Sequence, residues 1–166
     1  LPLEYEPGTH FLYNSGASVN GFFYHFLDST TGARSPGSEL SSIDSAELMA
    51  GVVSVGQYWA GTPIATVATN LYNRVNWPWM QQPSGVFYGA WSPEEGFSGG
   101  YVEFSEAVVL YLLGLGSPTH PTARSSWTSW SRTPIVNYGG YRFVTASDAA
   151  LFTVQYPMGW FDLRGL

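Results

Sequence analysis

One apolar run dominates the hydrophobic pattern of the chain and lies within Glu103–Pro118, EFSEAVVLYLLGLGSP. From Ala107 to Leu115 every position is apolar or glycine, with a single aromatic residue, so the run predicts a helix that is buried on all sides. A glycine and a proline follow in the order typical of a helix C-terminus. We therefore predict a core helix here, with two carboxylates, Glu103 and Glu106, at its front edge.

Two further helices are predicted upstream of this run. Ser41–Trp59 begins with two N-cap candidates, Ser41 and Ser42, and carries Asp44 in its first turn. Its apolar residues recur at helical spacing: Ile43, Leu48, Met49, Val52, Val55 and Trp59. The shorter Pro63–Arg74 follows after a brief connection, so the two helices are expected to form an αα-hairpin.

The remaining segments show weaker patterns. Gly21–Leu27 predicts an aromatic strand, and Asp28–Gly37 predicts a polar connector that carries Arg34 to solvent. Val86–Trp91 alternates weakly between apolar and polar positions, and it leaves a β-hairpin and a long loop as open alternatives.

Three more elements are predicted in the C-terminal part of the chain. His120–Arg132 predicts a fourth helix that ends before Pro134, Asn137–Thr145 a strand entered through a glycine turn, and Ala146–Gln155 a short last helix. Helix pairs separated by aromatic loops predict an all-α or mostly-α fold, with short β-hairpins in the loops.

Length and charge narrow the classes of function. The 166 residues suffice for one domain with a core, and no break in composition divides 1–166. A net charge of −6, with six Arg and no Lys, argues against nucleic-acid binding, which needs a basic face. The lack of Cys excludes disulfides, thiolate metal sites and a Cys nucleophile.

The sequence contains no signal for membrane insertion or targeting. No run reaches the roughly 18 apolar residues of a membrane span. The chain does not begin with Met, so we expect either a removed leader or a longer parent protein.

Aromatic residues make up 17% of the chain and charged residues only 11%. This balance suits a carbohydrate site, where rings stack on sugar faces, and it suits an ordinary aromatic core, which composition alone favours. Trp77, Trp79 and Trp91 lie in predicted loops and are therefore candidates for a sugar platform. The alternative is that these rings pin their loops to the body of the protein.

Four acids precede or open hydrophobic helices: Glu39, Asp44, Glu103 and Glu106. Each alone fits a cap or a first-turn acid matched to the helix dipole, worth about 0.3–1 kcal/mol. As a set they suit glycoside hydrolysis, which needs one carboxylic acid to protonate the leaving oxygen and one carboxylate to activate water or attack carbon. Burial raises the pKa of such an acid and a helix N-terminus lowers it, and the sequence leaves that competition open.

No motif for a metal or cofactor is present. The three histidines lack a metal-ligand spacing, and neither a nucleophile elbow nor a nucleotide-binding glycine loop occurs. We therefore expect no cofactor. His25, within FFYHF, fits a contact to a sugar hydroxyl as well as a satisfied histidine in a strand.

Several multi-residue motifs resemble one known family. They are GFFYHFLDSTTGARSPGSELSSIDSAELMAG (Gly21–Gly51), YNRVNWPWM (Tyr72–Met80), WSPEEGF (Trp91–Phe97), SEAVVLYLLGLGSPTHP (Ser105–Pro121) and YGGYRF (Tyr138–Phe143). In this order they cover most of the chain. The chain resembles the glucoamylase-like family of bacteria, which includes endo-β-1,2-glucanases and a domain of cyclic β-1,2-glucan synthases.

The resemblance implies an (α/α)6 toroid, in which six helical hairpins ring a central cleft, and activity on β-linked glucans. It implies Glu106 as the proton donor, with Asp44 as a second catalytic residue lining the cleft. Glu103 is then a solvated or capping acid. The residues that the resemblance implies as substrate contacts are Glu39, Tyr24, His25, Trp79, Trp91, Tyr138 and Arg142.

Two departures from the family pattern bear on function. The family toroid is much longer than 166 residues, which implies a partial catalytic domain and leaves open whether the second catalytic acid lies outside this chain. Relatives commonly read QYSHxW where this chain has QYPMGW, Gln155–Trp160, and Pro157 is expected to end the last helix early.

The first functional hypothesis is a periplasmic or extracellular glycoside hydrolase that acts on β-linked glucan, foremost β-1,2-glucan, with Glu106 as general acid and water as nucleophile. The alternative is a catalytically incomplete module that binds a glucan oligo- or polysaccharide without cutting it. A third reading, a helical interaction domain with no sugar role, gains if rings such as Trp79 and Trp91 are buried.

Overall fold

The computed structural model describes residues 16–147 and 150–161. Within them lie four α-helices: α1 (Ser42–Tyr58), α2 (Pro63–Asn73), α3 (Val108–Gly116) and α4 (Leu151–Met158). The strands are β1 (Ser18–Val19), β2 (Phe22–Phe23), β3 (Leu40–Ser41), β4 (Ala90–Ser92), β5 (Gly96–Ser98), β6 (Ile135–Tyr138) and β7 (Tyr141–Val144). They form three antiparallel sheets, β1–β2, β3–β4–β5 and β6–β7.

The expected all-α class, with its (α/α)6 toroid, is wrong for the described residues, because seven strands in three sheets accompany the helices. The aromatic segments between the helices pair with each other instead of forming open loops. β6–β7 shows the local reason: Gly139 and Gly140 have φ of 57° and 83°, which a tight hairpin turn requires. Of the two alternatives left open around Val86–Trp91, the β-hairpin is present as β4–β5.

The α1–α2 hairpin is confirmed, and each helix ends within one residue of its predicted bounds. The two helices pack side by side at small residues. A Cβ on Gly56 would lie only 2.9 Å from the Cβ of Ala68, so glycine permits this close approach.

The core helix is also confirmed, but α3 is shorter than the predicted segment, because Glu103 pairs with Ser131 and residues 104–107 form bends and a turn before the helix. Val109, Leu110 and Tyr111 are almost fully buried. They join a core shared with β2, β3 and α1, whose largest buried side chains include Trp77, Phe22, Phe87, Leu40 and Met49. α1 packs against α3 as well as α2, so α1 lies at the centre of the described fold.

The predicted fourth helix is wrong: His120–Arg132 forms only a 3-10 segment, Arg124–Thr128. Its hydroxyls bond the backbone locally, as Thr128 Oγ1 donates to the Ser125 carbonyl at 2.9 Å and Ser129 Oγ to the Ser126 carbonyl at 2.7 Å. Such bonds compete with a regular helix.

The last two predicted elements are present but shifted. The strand predicted for Asn137–Thr145 is a two-stranded hairpin, β6–β7. The last helix is α4, which begins later than the predicted Ala146–Gln155 and holds Pro157 in its final turn; residues 148–149 lie outside the described part. No helix in the described ranges is long and apolar enough to cross a bilayer.

Candidate active site

The start of α1 is held by the serines of SELSSIDS, Ser38–Ser45. Ser41 is extended and caps the helix: its Oγ accepts a hydrogen bond from the Asp44 backbone N–H at 3.2 Å and donates one to the Asp44 carboxylate. Ser42 Oγ donates to the Tyr88 carbonyl at 2.7 Å. Ser45 Oγ donates to the Ser41 carbonyl at 2.6 Å and accepts from the Phe23 N–H at 2.9 Å. These bonds fix the helix start against β2 and the chain before β4.

His25 connects two predicted site acids. Its Nδ1 lies 2.8 Å from Glu39 Oε1, and its Nε2 lies 3.8 Å from Asp44 Oδ2. The ring also stacks on Phe26, with centroids 4.1 Å apart. Partial burial acts to raise the pKa of Glu39, but hydrogen bonds from its own backbone and from His25 outweigh it, so the pKa is lowered. Glu39 is therefore held ionised beside the imidazole.

A second group of acids lies on α1 and near it. Glu47 lies three residues after Asp44, on the same side of α1, and Glu106 lies in the turn before α3. Burial, then the charges of Asp44 and Glu106, raise the pKa of Glu47. Burial, followed by the charges of Glu106, Asp44 and Glu47, also raises the pKa of Tyr101. Asp44, Glu47 and Glu106 thus lie within electrostatic range of Tyr101, and we call these three carboxylates the acid cluster.

Glu106 and Tyr101 are positioned by α3 and its neighbours. The Glu106 carbonyl accepts from the Val109 N–H at 3.0 Å, and its Oε2 is buried. The Tyr111 hydroxyl, inside the core, donates to the Tyr101 carbonyl at 3.0 Å and accepts from the Phe87 N–H at 3.3 Å. The apolar body of α3 therefore fixes both the acid and the phenol that borders it.

Three of the predicted aromatic contacts, Tyr24, Trp79 and Trp91, lie together at the other face of the β3–β4–β5 sheet. Tyr24 pairs with Leu40, Leu40 with Trp91, and Trp91 with Phe97. Cross-strand partners share a face, so these rings lie opposite Ser41, the residue that caps Asp44. Trp79 packs on Trp91 and Phe97 with centroids 5.3 and 5.0 Å away. Trp79 and Trp91 are half-buried, whereas Tyr24 is buried.

Arg34 is not carried to solvent, contrary to the sequence prediction. Its guanidinium makes a two-pronged ion pair with Glu94, at 2.7 and 2.6 Å, and lies 4.9 Å from the centre of the Tyr24 ring. Its Nε donates to the Ser38 carbonyl at 2.6 Å. Arg34 therefore ties the segment that leads to Glu39 to the turn of the β4–β5 hairpin.

The structure does not bring every predicted contact together. Tyr138 and Arg142 lie on β6–β7 with exposed side chains, and within residues 16–147 and 150–161 no ion pair or hydrogen bond joins either of them to Glu39 or Asp44. Glu103 accepts a hydrogen bond from the Ser147 hydroxyl. No group of His, Cys, Asp or Glu in these ranges is arranged to hold a metal ion.

Sequence reasoning missed three members of this neighbourhood: Glu47, Tyr101 and Tyr156. Burial and then the charge of Glu47 raise the pKa of Tyr156 on α4. The spacing of Asp44 and Glu47, three residues apart in a predicted helix, was a signal that could have found Glu47. Neither tyrosine has a local signal, because only packing brings it to the acids.

The candidate site is therefore a group of carboxylates with tyrosines nearby, on a mixed helical and β fold. A family model described as "Putative glucoamylase" matches residues 100–166, which include Tyr101, Glu106 and Tyr156. A comparison with curated protein sequences gives no match.

Three solved structures share the fold. A putative glucoamylase from Bacteroides uniformis is 24% identical with a TM-score of 0.68, over 82% of this chain and 38% of that chain. An endo-β-1,2-glucanase from Chitinophaga pinensis, solved with sophorotriose and glucose, is 21% identical with a TM-score of 0.69, over 84% and 37%. A β-1,2-glucanase from Parabacteroides distasonis is 22% identical with a TM-score of 0.64, over 72% and 19%.

These matches confirm the resemblance to the glucoamylase-like family. The likeness to the solved structures shows a shared fold, and the chain spans less than two fifths of the length of each of them.

Proposed function

We propose that the protein is a glycoside hydrolase-like domain that cleaves β-linked glucan, foremost β-1,2-glucan, by carboxylate acid–base chemistry. The observation that carries the proposal is that Asp44 and Glu106 stand at the starts of two helices that pack together, α1 and α3, within electrostatic range of Glu47 and Tyr101. The family match over residues 100–166 and the glucanases that share the fold support the same class of substrate.

The acid cluster supplies the proton that glycoside hydrolysis needs. Neighbouring carboxylates in a partly buried site cannot all ionise at their ordinary pKa, so such a group retains a proton to higher pH than an isolated acid does. The raised pKa of Glu47 is one expression of this effect. In the proposed mechanism Glu106 protonates the leaving glycosidic oxygen, and Glu47 helps keep a proton within the cluster.

Asp44 suits the complementary role of base. Its carboxylate accepts a hydrogen bond from the Ser41 hydroxyl, which orients it, and lies 3.8 Å from His25 Nε2. In the proposed reaction Asp44 accepts a proton from water, the water oxygen attacks the anomeric carbon, and the proton of Glu106 passes to the leaving oxygen. The pair of roles corresponds to inversion at the anomeric carbon.

The test is the rate of reducing-sugar release from β-1,2-glucan by Glu106→Gln. We expect a loss of about 10²- to 10⁴-fold, because the amide cannot donate the proton. Glu103→Gln is the matched control: it lies three residues upstream and bonds Ser147, so it is expected to keep the parent rate. An active parent whose Glu106→Gln variant retains full rate rules out this assignment, and a panel of β-1,3- and β-1,4-glucans tests the linkage.

A second candidate function is glucan binding without cleavage. It is favoured by the ring cluster of Trp79, Trp91 and Phe97, in which Phe97 is 38% exposed. Calorimetric titration with β-1,2-linked oligosaccharides separates the two: binding with no product supports this candidate, and the absence of binding removes it.

A further inference from the structure

His25 is held in place by backbone pairing and by ring stacking. It lies opposite Glu39 in the antiparallel pairing that precedes α1, where the Glu39 carbonyl accepts a hydrogen bond from the His25 N–H at 2.8 Å. The next N–H, that of Phe26, donates to Ser38 Oγ at 2.8 Å. The Phe26 ring stacks on the imidazole, with centroids 4.1 Å and planes 17° apart. The position and the plane of the imidazole are therefore both fixed.

Glu39 decides which ring nitrogen of His25 carries a hydrogen. Burial acts to raise the pKa of Glu39, but hydrogen bonds from its own backbone and from His25 lower it, so the carboxylate is ionised and can only accept. Its Oε1 lies 2.8 Å from His25 Nδ1, and Nδ1 is therefore the donor. The other ring nitrogen, Nε2, faces Asp44 Oδ2 at 3.8 Å. One imidazole thus connects the two carboxylates.

The contacts of the Asp44 carboxylate with Ser41 and His25 fall on the same oxygen. Ser41 Oγ donates to Asp44 Oδ2, and His25 Nε2 lies 3.8 Å from that atom. The side chains of His25 and Asp44 are 39% and 50% exposed, and contacts between such exposed groups add little to the stability of a fold. The arrangement therefore matters chiefly for the orientation of the Asp44 carboxylate.

We propose that His25 is a positioning residue for Asp44, an inference that rests on the proposed function, in which Asp44 is the base. The imidazole, backed by Glu39, holds the Asp44 carboxylate by Oδ2 and leaves Oδ1 to accept the proton of the attacking water. His25 neither gives nor takes a proton in this role, so the proton balance of the proposed reaction is unchanged. The assignment differs from the expectation drawn from the family resemblance, in which His25 and Glu39 contact the substrate.

The experiment measures kcat and KM for reducing-sugar release from β-1,2-glucan by the parent, His25→Ala, His25→Asn and His25→Gln. We expect kcat of His25→Ala to fall about 10- to 100-fold, because a displacement of about 1 Å in a reacting group can cost about 10²-fold. KM should stay unchanged, since the lost interaction acts in the transition state. The glutamine amide reaches the position of Nε2 and should recover part of the rate, whereas the asparagine amide reaches only that of Nδ1 and should not.

A double variant tests whether Glu39 acts through the ring of His25. Glu39→Ala should lower kcat in the parent and have no further effect in the His25→Ala background, because the two residues then belong to one coupled unit. His120→Ala is the matched control: its Nδ1 lies 3.1 Å from the Thr119 hydroxyl instead of a carboxylate, and it should keep the kcat and KM of the parent. Near-ultraviolet circular dichroism checks that each variant is folded.

The outcomes separate this inference from the proposed function. A fall in kcat at constant KM, together with the loss of the Glu39→Ala effect in the double variant, supports the positioning role. A folded His25→Ala protein with the kcat of the parent overturns that role and leaves the hydrolase intact. A raised KM alone also overturns it and marks His25 as a substrate contact. A parent that releases no sugar, or an Asp44→Asn variant that keeps the full rate, overturns the proposed base and the positioning role with it.

Discussion

The starts of α1 and α3 both deliver acids to the cluster, and they are fixed in different ways. At α1, Ser41 caps the helix through its own side chain and bonds Asp44 directly. At α3 the N-cap position is Ala107, which makes no side-chain cap, and Glu106 lies before the helix. Capping fixes the first start, whereas burial of the helix body fixes the second.

The difference bears on what each acid can do. Asp44 is half-exposed, with its carboxylate already engaged by a hydroxyl, which suits a base that meets water. Glu106 has a buried carboxylate oxygen and stands next to buried core residues, away from bulk water. Asp44 and Glu106 are both carboxylic acids, but they lie in different environments because the two helices begin in different ways.

The largest effect on stability is expected from shortening a buried side chain of α3. Leu110 is fully buried, so Leu110→Ala should lower the free energy of unfolding by about 2–5 kcal/mol. The matched change Leu48→Ala on α1, where the side chain is 44% exposed, should cost less than about 1 kcal/mol. Urea denaturation measures both, and equal costs would contradict the contrast between the helices.

A smaller effect is expected from the cap of α1. Ser41→Ala removes the acceptor for the Asp44 N–H and should lower the free energy of unfolding by about 0.5–2 kcal/mol. Ser41→Thr should restore most of it. Ser105→Ala, which removes only an acceptor for the Ala107 N–H at 3.2 Å, should cost less in the same denaturation experiment; a larger cost would show that α3 also depends on a cap.

The smallest effect concerns Glu47, which α1 holds next to Glu106. Its pKa in the folded state is raised above the ordinary 4.5, so its contribution to stability is complete below that value and is lost as the pH rises through the folded pKa. Glu47→Gln cannot ionise and should lose less stability than the parent between about pH 4 and about pH 7.

Thermal unfolding of both proteins at the two pH values provides the measurement for Glu47→Gln. Glu95→Gln, an exposed acid in the β4–β5 turn, is the control and should follow the parent. If the melting temperature of Glu47→Gln falls as steeply as that of the parent when the pH rises, the cluster does not raise the pKa of Glu47.

Elements with local signals could be predicted from the sequence. α1 and α2 carry caps and helical periodicity within their own residues, so their bounds follow from those residues alone. The His120–Arg132 helix failed because hydroxyl groups such as those of Thr128 and Ser129 bond nearby carbonyls instead. The all-α class failed for a related reason: β3 is two residues long and is a strand only because β4 pairs with it.

The residues of the candidate site can also be divided into those with a local sequence signal and those without one. The motifs single out Asp44 and Glu106 as acids at helix starts, and their participation in catalysis stays a prediction. Glu47 could have been predicted from its spacing of three residues from Asp44. Tyr101 and Tyr156 could not, because both are distant from Glu47 in the sequence and only the folded chain brings them within range of its charge.

The sequence by itself determined the positions of α1 and α2, the apolar body and end of α3, and the residues at which acids stand near helix starts, since caps and periodicity act over a few neighbouring residues. The tertiary structure alone decided that three carboxylates come within electrostatic range of Tyr101, and that Trp91 lies on the sheet face opposite Ser41. Those facts depend on strand pairing and helix packing between distant parts of the chain, and no local pattern encodes them.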